Sequence, residues 1–346
     1  MTAMPGDLDV TAVPLAAVHA RMRRAVSPGD SAAPLLYAWL RDHLGWPDGG
    51  ADLRAESAKG IRPRLALVAW SAVGGPADHP AAIDIAAAVE LTHEFSLVHD
   101  DIEDGDTVRR GRPTLWRQVG VAQALNAGDA LFALAREVLM AAPLTAETRL
   151  ALAAIYDRAC VRLAEGQALD LAFEAAPPAA VSVDDHRAMI DGKTGALLGA
   201  SVELGARGAG ADAATAAALG AWGRHVGAAF QLQDDILGLW GDPQRTGKPV
   251  GHDLVRRKKS LAVLLAARDP RLAERVAAVL AAEPVDAAAA AGLADAMAAA
   301  GVADACRRVA QGLVEAAAAA LDGVPIDDRS RRGLTAFGRQ AVARDR

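Results

Sequence analysis

"SLVHDDIEDGDTVRRGRPT", residues 96–114, packs four aspartates and one glutamate into seven positions and follows them with two adjacent arginines. Like charges so close repel one another, and acidic groups near a helix C-terminus are further disfavoured by the helix dipole. Something positive is therefore expected to sit on the cluster. Read as the end of a helix that stops near Gly105, the stretch puts Asp100 and Asp104 at i and i+4 on one face, with Asp101 beside them. Converging oxygens of this kind suit Mg²⁺, which takes octahedral oxygen coordination completed by water and phosphate. A lone DDxxD is more simply a solvated helix end, so the decision rests on the rest of the chain.

That rest is helical in character. Of 346 residues, 52% are hydrophobic but only 4% aromatic, and alanine, leucine and arginine dominate. Apolar residues recur at helical spacing, as in Leu35, Leu36, Trp39 and Leu40, in Leu152, Ile155, Tyr156 and Ala159, and in Leu219, Trp222, Val226 and Phe230. Glycine and proline cluster at 45–50, 74–80, 177–178, 205–210 and 241–243, leaving long pieces between short connections. No run alternates as a strand would. The expected architecture is all-α, one helical domain over residues 26–346, with residues 1–25 loosely held. A net charge of −6 speaks against nucleic acid as partner. Cys160 and Cys306 show no CxxC spacing, which fits a reducing compartment. The opening MTAMPGDLDV lacks signal-peptide character, and no uninterrupted apolar run reaches the ~20 residues of a membrane span. A cytoplasmic location without stable membrane insertion is expected.

A second acidic pair changes the reading. In "FQLQDDILGLWGDPQRTGKPVGHDLVRRKKS", Asp234 and Asp235 fall late in an apolar helix, and Lys248, Lys258 and Lys259 follow in a glycine-containing loop. Two acidic pairs, each trailed by cations, describe a metal-bridged polyphosphate site: carboxylates hold ions, ions hold phosphate oxygens, and Lys and Arg neutralise the remainder.

Here the chain resembles the trans-isoprenyl (polyprenyl) diphosphate synthases, in particular bacterial geranylgeranyl diphosphate synthases. The motifs run in order: "KGIRP" at 59–63, "THEFSLVHDDIED" at 92–104, "RRGRP" at 109–113, "GQALDL" at 166–171, "KTGAL" at 193–197, "FQ..DD" at 230–235, and "GKPVGHDL...K". Singly, Thr194 reads as a helix-surface residue, Gln231 as a satisfied core amide and His93 as a buried histidine; the joint order decides otherwise. The resemblance implies an isoprenyl-synthase-type helical bundle around an apolar cavity, homodimeric, using three Mg²⁺ ions per site with Mn²⁺ able to substitute. It assigns Asp100, Asp104 and Asp234 to the metal, with Asp101 and Asp235 in support. Arg109, Lys193 and Lys248 would hold the allylic diphosphate, with Lys258 also on the substrate side. Lys59, Arg62, His93 and Arg110 would hold isopentenyl diphosphate, while Thr194 and Gln231 face the reacting carbons. The implied reaction is head-to-tail condensation by ionisation, carbon–carbon bond formation and proton loss.

Two departures stand out. Ser57 and Ala58 replace the glycines that often precede the KxxRP lysine, and the second motif ends in Gly238 where the family often has aspartate. Metal binding is expected to survive the latter. Phe95 and Ser96, five and four positions before Asp100, would form the floor under the growing chain. One aromatic with a small neighbour resembles enzymes of geranylgeranyl length, two aromatics those of farnesyl length. The alternatives are a class I terpene cyclase, a farnesyl or longer-chain synthase, and a non-catalytic partner subunit. A cyclase has no use for a second diphosphate site, so Lys59, Arg62 and Arg110 argue against it. The retained acidic clusters argue against the partner subunit.

Overall fold

The computed structural model describes residues 14–47, 60–76, 78–246 and 249–343. Lys59, Lys248 and the Ser57–Ala58 departure lie outside them. The helices in order are α1 (Leu15–Ala25), α2 (Pro34–His43), α3 (Ile61–Ala72), α4 (Pro80–Glu103), α5 (Leu115–Val119), α6 (Val121–Met140), α7 (Ala146–Ala175), α8 (Val183–Ile190), α9 (Ala196–Gly208), α10 (Ala213–Trp240), α11 (Pro243–Thr246), α12 (His252–Val255), α13 (Leu261–Arg268), α14 (Ala273–Ala281), α15 (Ala287–Ala299), α16 (Val302–Ala320) and α17 (Asp328–Val342). A π-helical turn, Asp191–Gly195, joins α8 to α9, and a two-residue hairpin, β1 (Val108–Arg109) with β2 (Arg112–Pro113), follows α4. Among the described residues no single helix is long and apolar enough to cross a membrane. Both cysteines are free.

The chain divides into two compact units. The first comprises Met1–Asp157, Ser201–Ala217 and Pro325–Ser330. Its spine is α4, which starts with Pro80 at its first position, where a missing N–H costs nothing, and with His79 Nδ1 accepting the Ala81 amide at 3.2 Å. Every side chain from Ala81 to Leu91 is buried, so this stretch is packed on all sides, as a central helix must be. Its two internal carboxylates include Asp84, which Arg21 of α1 reaches at 2.5 Å. Gly205 and Gly208 of α9 let backbone approach closely: a Cβ on Gly205 would lie 2.1 Å from the Ala66 carbonyl oxygen, and one on Gly208 2.5 Å from the Ile85 side chain. Of the N-terminal 25 residues set apart above, 15–25 form α1, with Val18 and Met22 buried.

The second unit comprises Arg158–Ala200, Ala218–Val324 and Arg331–Arg346. Its core gathers Leu232, Ile236 and Leu239 of α10 with Val263 of α13, Val276 of α14, and Leu293 and Met297 of α15. Trp240 Nε1 donates to the Ala294 carbonyl at 2.8 Å, fixing the end of α10 against α15.

Candidate active site

In the first unit, α4 carries the first acidic motif to its C-terminus. The helix ends at Glu103, Asp104 caps it with its amide donating to the Asp100 carbonyl at 2.8 Å, and Gly105 turns the chain at φ +66°. The hairpin then folds back. Its turn residues Arg110 and Gly111 both have positive φ, 52° and 75°, the pattern of the two-residue turn that matches strand twist. Arg109 Nε donates to Asp101 Oδ1 at 2.5 Å, and its Nη2 to Asp100 Oδ2 at 3.0 Å. Burial pushes the Asp101 carboxyl up, while Arg109 pulls it the other way.

Asp101 Oδ2 is buried with no hydrogen-bond partner. An unsatisfied carboxylate oxygen beside the half-buried Asp100 fits a hard divalent cation or its bound water, and the donors are all oxygen. Among the described residues no three His, Cys, Asp or Glu side chains gather into a metal cage.

A second network lies under the hairpin. Glu94 is fully buried; Arg110 Nη1 reaches its Oε1 at 3.3 Å and His43 Nε2 its Oε2 at 3.2 Å. Burial lowers the pKa of Arg62 on α3, opposed by Glu90 and Glu94. Arg62 Nε is buried without a hydrogen-bond partner, which leaves it a donor for an anion. Asp42, His43, Asp101, Arg109, Arg110 and Arg112 are among the residues lining a cleft of about 360 Å³ here. Arg112 is tied to Asp42 Oδ1 at 2.5 Å. Glu94 thus offsets cations that would otherwise repel, and holds Arg110 in a backbone conformation that non-glycine residues seldom adopt. Glu94→Ala is expected to destabilise the protein by about 3 kcal/mol, at the low end for breaking a buried pair because Arg110 is partly exposed. Urea unfolding reads this, and an unchanged midpoint would show the network to be energetically idle.

The Phe95 ring lies 5.1 Å from Phe132 and edge-on to His99 at 5.4 Å. Phe132 in turn stacks on Tyr156 at 6.2 Å, whose hydroxyl accepts from Thr92 Oγ1 at 2.9 Å. Ser96 Oγ bends back to the His93 carbonyl at 2.7 Å. His93 lies half-buried on the same helix.

In the second unit, Lys193 and Thr194 sit in the π-helical turn between α8 and α9, a local irregularity often found at functional sites. Glycines bring it against α7: a Cβ on Gly166 would lie 2.1 Å from the Lys193 amide nitrogen, and one on Gly192 2.7 Å from the Arg162 carbonyl. One turn beyond Gly166, Asp170 Oδ2 accepts from Lys193 Nζ at 2.5 Å. From Thr194 a chain of polar contacts runs to the second motif. Thr194 Oγ1 donates to Gln231 Oε1 at 3.0 Å, and Gln231 Nε2 to Asp235 Oδ1 at 3.1 Å. Lys258 Nζ donates to the same oxygen at 2.6 Å. Burial would lower the Lys258 pKa, but Asp235 and then Asp253 outweigh it and the net shift is upward. Asp234 stands one position before Asp235 on α10.

The structure thus joins Asp100 and Asp101 with Arg109, Lys258 with Asp235, and Thr194 with Gln231. The sequence reading missed His43, Glu94 and Asp170 as partners. Asp170 lies inside the quoted GQALDL motif and was open to discovery; His43 and Glu94 carry no signal until the hairpin folds over them.

The polyprenyl synthetase family model matches residues 51–297. The (2E,6E)-farnesyl diphosphate synthase of Mycobacterium tuberculosis (strain ATCC 25618 / H37Rv) is 48% identical over 243 residues, 70% of this chain and 66% of that protein. The geranylgeranyl diphosphate synthase of the same strain is 45% identical over 245 residues, 70% of this chain and 68% of that protein. The chain therefore spans about two thirds of the length of these curated relatives. Among solved structures, a polyprenyl synthetase from Streptomyces coelicolor A3(2) superposes with a TM-score of 0.87 at 37% identity, covering 96% of this chain and 100% of that one. Geranylgeranyl pyrophosphate synthase from Corynebacterium glutamicum, complexed with isoprenyl diphosphate and magnesium, gives 0.80 at 27% identity, covering 97% and 99%. The chain belongs to the polyprenyl synthetase family, and its fold is the all-α fold of the isoprenyl synthases.

Proposed function

We propose that the protein is a short-chain prenyltransferase condensing isopentenyl diphosphate with an allylic diphosphate to give geranylgeranyl diphosphate, twenty carbons long. The observation that supports the metal-assisted part of this reading is the buried, unpartnered Asp101 Oδ2 beside Asp100, both residues gripped by Arg109, while the twenty-carbon length rests on Phe95 with the small Ser96 beside it. Asp100, Asp104 and Asp234 would hold the metal, with Asp101 and Asp235 in support. Mg²⁺, three ions to each site on this reading, would supply the charge neutralisation that makes diphosphate a competent leaving group. Arg109, Lys193 and Lys248 bind the allylic diphosphate, with Lys258 beside Asp235 adding positive charge. Lys59, Arg62, His93 and Arg110 bind that of isopentenyl diphosphate.

When the allylic carbon–oxygen bond breaks, the electron pair leaves with diphosphate, and the isopentenyl double bond attacks the resulting cation. The departed diphosphate takes the proton that restores a neutral chain. Asp235 holds the Gln231 amide and Gln231 holds Thr194, so their oxygen dipoles are set before charge develops and need no reorganisation. Exclusion of water protects the cation from quenching. A homodimer is part of the same reading. We place the reaction in the cytoplasm, which suits two free cysteines.

The test supplies purified protein with labelled isopentenyl diphosphate and each of the three short allylic primers, with Mg²⁺ or with chelator, and sizes the products by chromatography. A twenty-carbon product that chelator abolishes is expected. A fifteen-carbon product would move the assignment to farnesyl length. A hydrocarbon or alcohol formed from a longer allylic diphosphate alone would make the protein a cyclase.

A further inference from the structure

Gly238 stands where the second acidic motif often has its last carboxylate, and its place is filled from elsewhere in the chain. A Cβ built on Gly238 would lie 2.3 Å from Asp253 Oδ2 and 2.5 Å from both Cγ and Oδ1. A whole carboxyl group thus occupies the volume of the absent side chain. Asp235 and Gly238 are i and i+3 on α10 and share a face, so Asp253 lays its carboxylate on the face that carries Asp235. Both aspartates are buried.

The local chain explains this delivery. The Gly251 amide donates to the Leu239 carbonyl at 3.0 Å, pinning the start of α12 to the end of α10. Gly251 has φ +75°, and a Cβ there would meet the Ala290 backbone at 3.0 Å, so glycine lets the loop lie close to α15. Asp253 follows two residues later. Its carbonyl accepts the Lys258 amide at 2.9 Å, closing a turn in which Arg257 takes φ +58°. That turn sends Lys258 Nζ back to Asp235.

We propose that Asp253 is a positioning residue that takes the place of the missing motif carboxylate, sharing with Asp235 the task of holding Lys258, and that residue 238 is glycine in order to admit it. The part played by Lys258 toward diphosphate rests on the prenyltransferase reading; the packing does not. The consequence runs against simple motif logic. Completing the motif with Gly238→Asp should harm the protein, because two carboxyl groups then contend for one place. The Asp253 carboxyl is the far end of a side chain and is the part that yields, so the helix survives while Lys258 keeps Asp235 but loses the second carboxylate that supports it.

The experiment compares Asp253→Asn, Gly238→Asp and the double variant Gly238→Asp/Asp253→Ala, each first checked for unchanged circular dichroism and unfolding midpoint. Binding of inorganic diphosphate with MgCl₂ is measured by titration calorimetry, and kcat and KM for both substrates by product formation. Asp253→Asn keeps the shape and removes the charge; it is expected to weaken diphosphate binding and kcat by about 10-fold, as loss of a supporting partner typically does, with KM for isopentenyl diphosphate unmoved. Gly238→Asp should lose as much, and the double variant should recover to within about threefold of wild type, since a carboxylate again fills the place from the helix side. Wild-type performance from Gly238→Asp or from Asp253→Asn overturns the proposal, as does a double variant no better than the single ones. If wild type binds diphosphate with this ranking of variants but never elongates a primer, the prenyltransferase reading fails and the role of Asp253 stands. If wild type elongates and the ranking is absent, the role of Asp253 fails alone.

Discussion

Asp100→Ala is expected to lower turnover by about 10³-fold, the upper range for removing one preorganised group that stabilises developing charge. The loss should be chemical and not structural. Arg109 keeps its shorter bond, Nε to Asp101 Oδ1 at 2.5 Å, so the hairpin stays docked without Asp100. The backbone hydrogen bond from Asp104 to the Asp100 carbonyl is independent of the side chain, so α4 still ends where it does. On the prenyltransferase reading, the same fold with one fewer carboxylate would have less hold on a divalent cation, and diphosphate would leave only as fast as its charge is neutralised. Glu103→Gln is the matching control, because it removes one negative charge from the same seven residues at an exposed position. It should stay within about threefold of wild type, as exposed substitutions usually perturb little. Equal losses in both variants would mean that the cluster acts through bulk charge, and near-normal turnover by Asp100→Ala would remove Asp100 from the metal assignment. Steady-state kinetics at saturating Mg²⁺, with circular dichroism alongside, separates these outcomes.

How much of this was legible beforehand depends on how locally each feature is encoded. Helix ends were legible because glycine and proline act on their own backbone: α2 stops before Gly45, α3 before Gly74, α7 before Pro177 and α10 before Gly241, at the breaks read from composition. The i, i+4 relation of Asp100 and Asp104 needed only helical geometry. The hairpin was missed because each strand is two residues long, too short for alternation to register. The π-helical turn at Asp191–Gly195 was also invisible, since it sits inside an otherwise helical run and packs against Gly166 of another helix. Long-range partners follow the same rule. Nothing in the sequence ties Glu94 to Arg110 and His43, which close over it only in the fold, and Gly238, a departure that metal binding was expected to survive, has the Asp253 side chain against it from 15 positions downstream.

Phe95→Ala is expected to change what the protein makes more than how fast. On the prenyltransferase reading, the growing chain would run from the first acidic motif back along α4 toward Phe95, whose ring His99 meets edge-on. Ser96, its neighbour, carries no ring, and its hydroxyl is turned to the His93 carbonyl. The Phe95 ring is not loose: Phe132 backs it at 5.1 Å, Tyr156 backs Phe132, and the Thr92 hydrogen bond locks Tyr156. On that reading a ring supported in this way would stop a flexible polyprenyl chain, whereas an unsupported one would rotate aside. Removing it should lengthen the dominant product by at least one five-carbon unit at a modest cost in stability, about 2 kcal/mol, below the usual range for a fully buried ring because Phe95 is only half-buried. Phe132→Ala leaves the ring but removes its support, so a mixture of lengths is expected in place of a clean shift. Ser96→Phe is the reciprocal change and should shorten the product to fifteen carbons by adding a second aromatic one residue along the helix. Chromatographic sizing of the products of all three variants decides the matter. An unchanged twenty-carbon product from Phe95→Ala, in a protein that still folds, would put the end of the tunnel elsewhere and leave Phe95 as core packing.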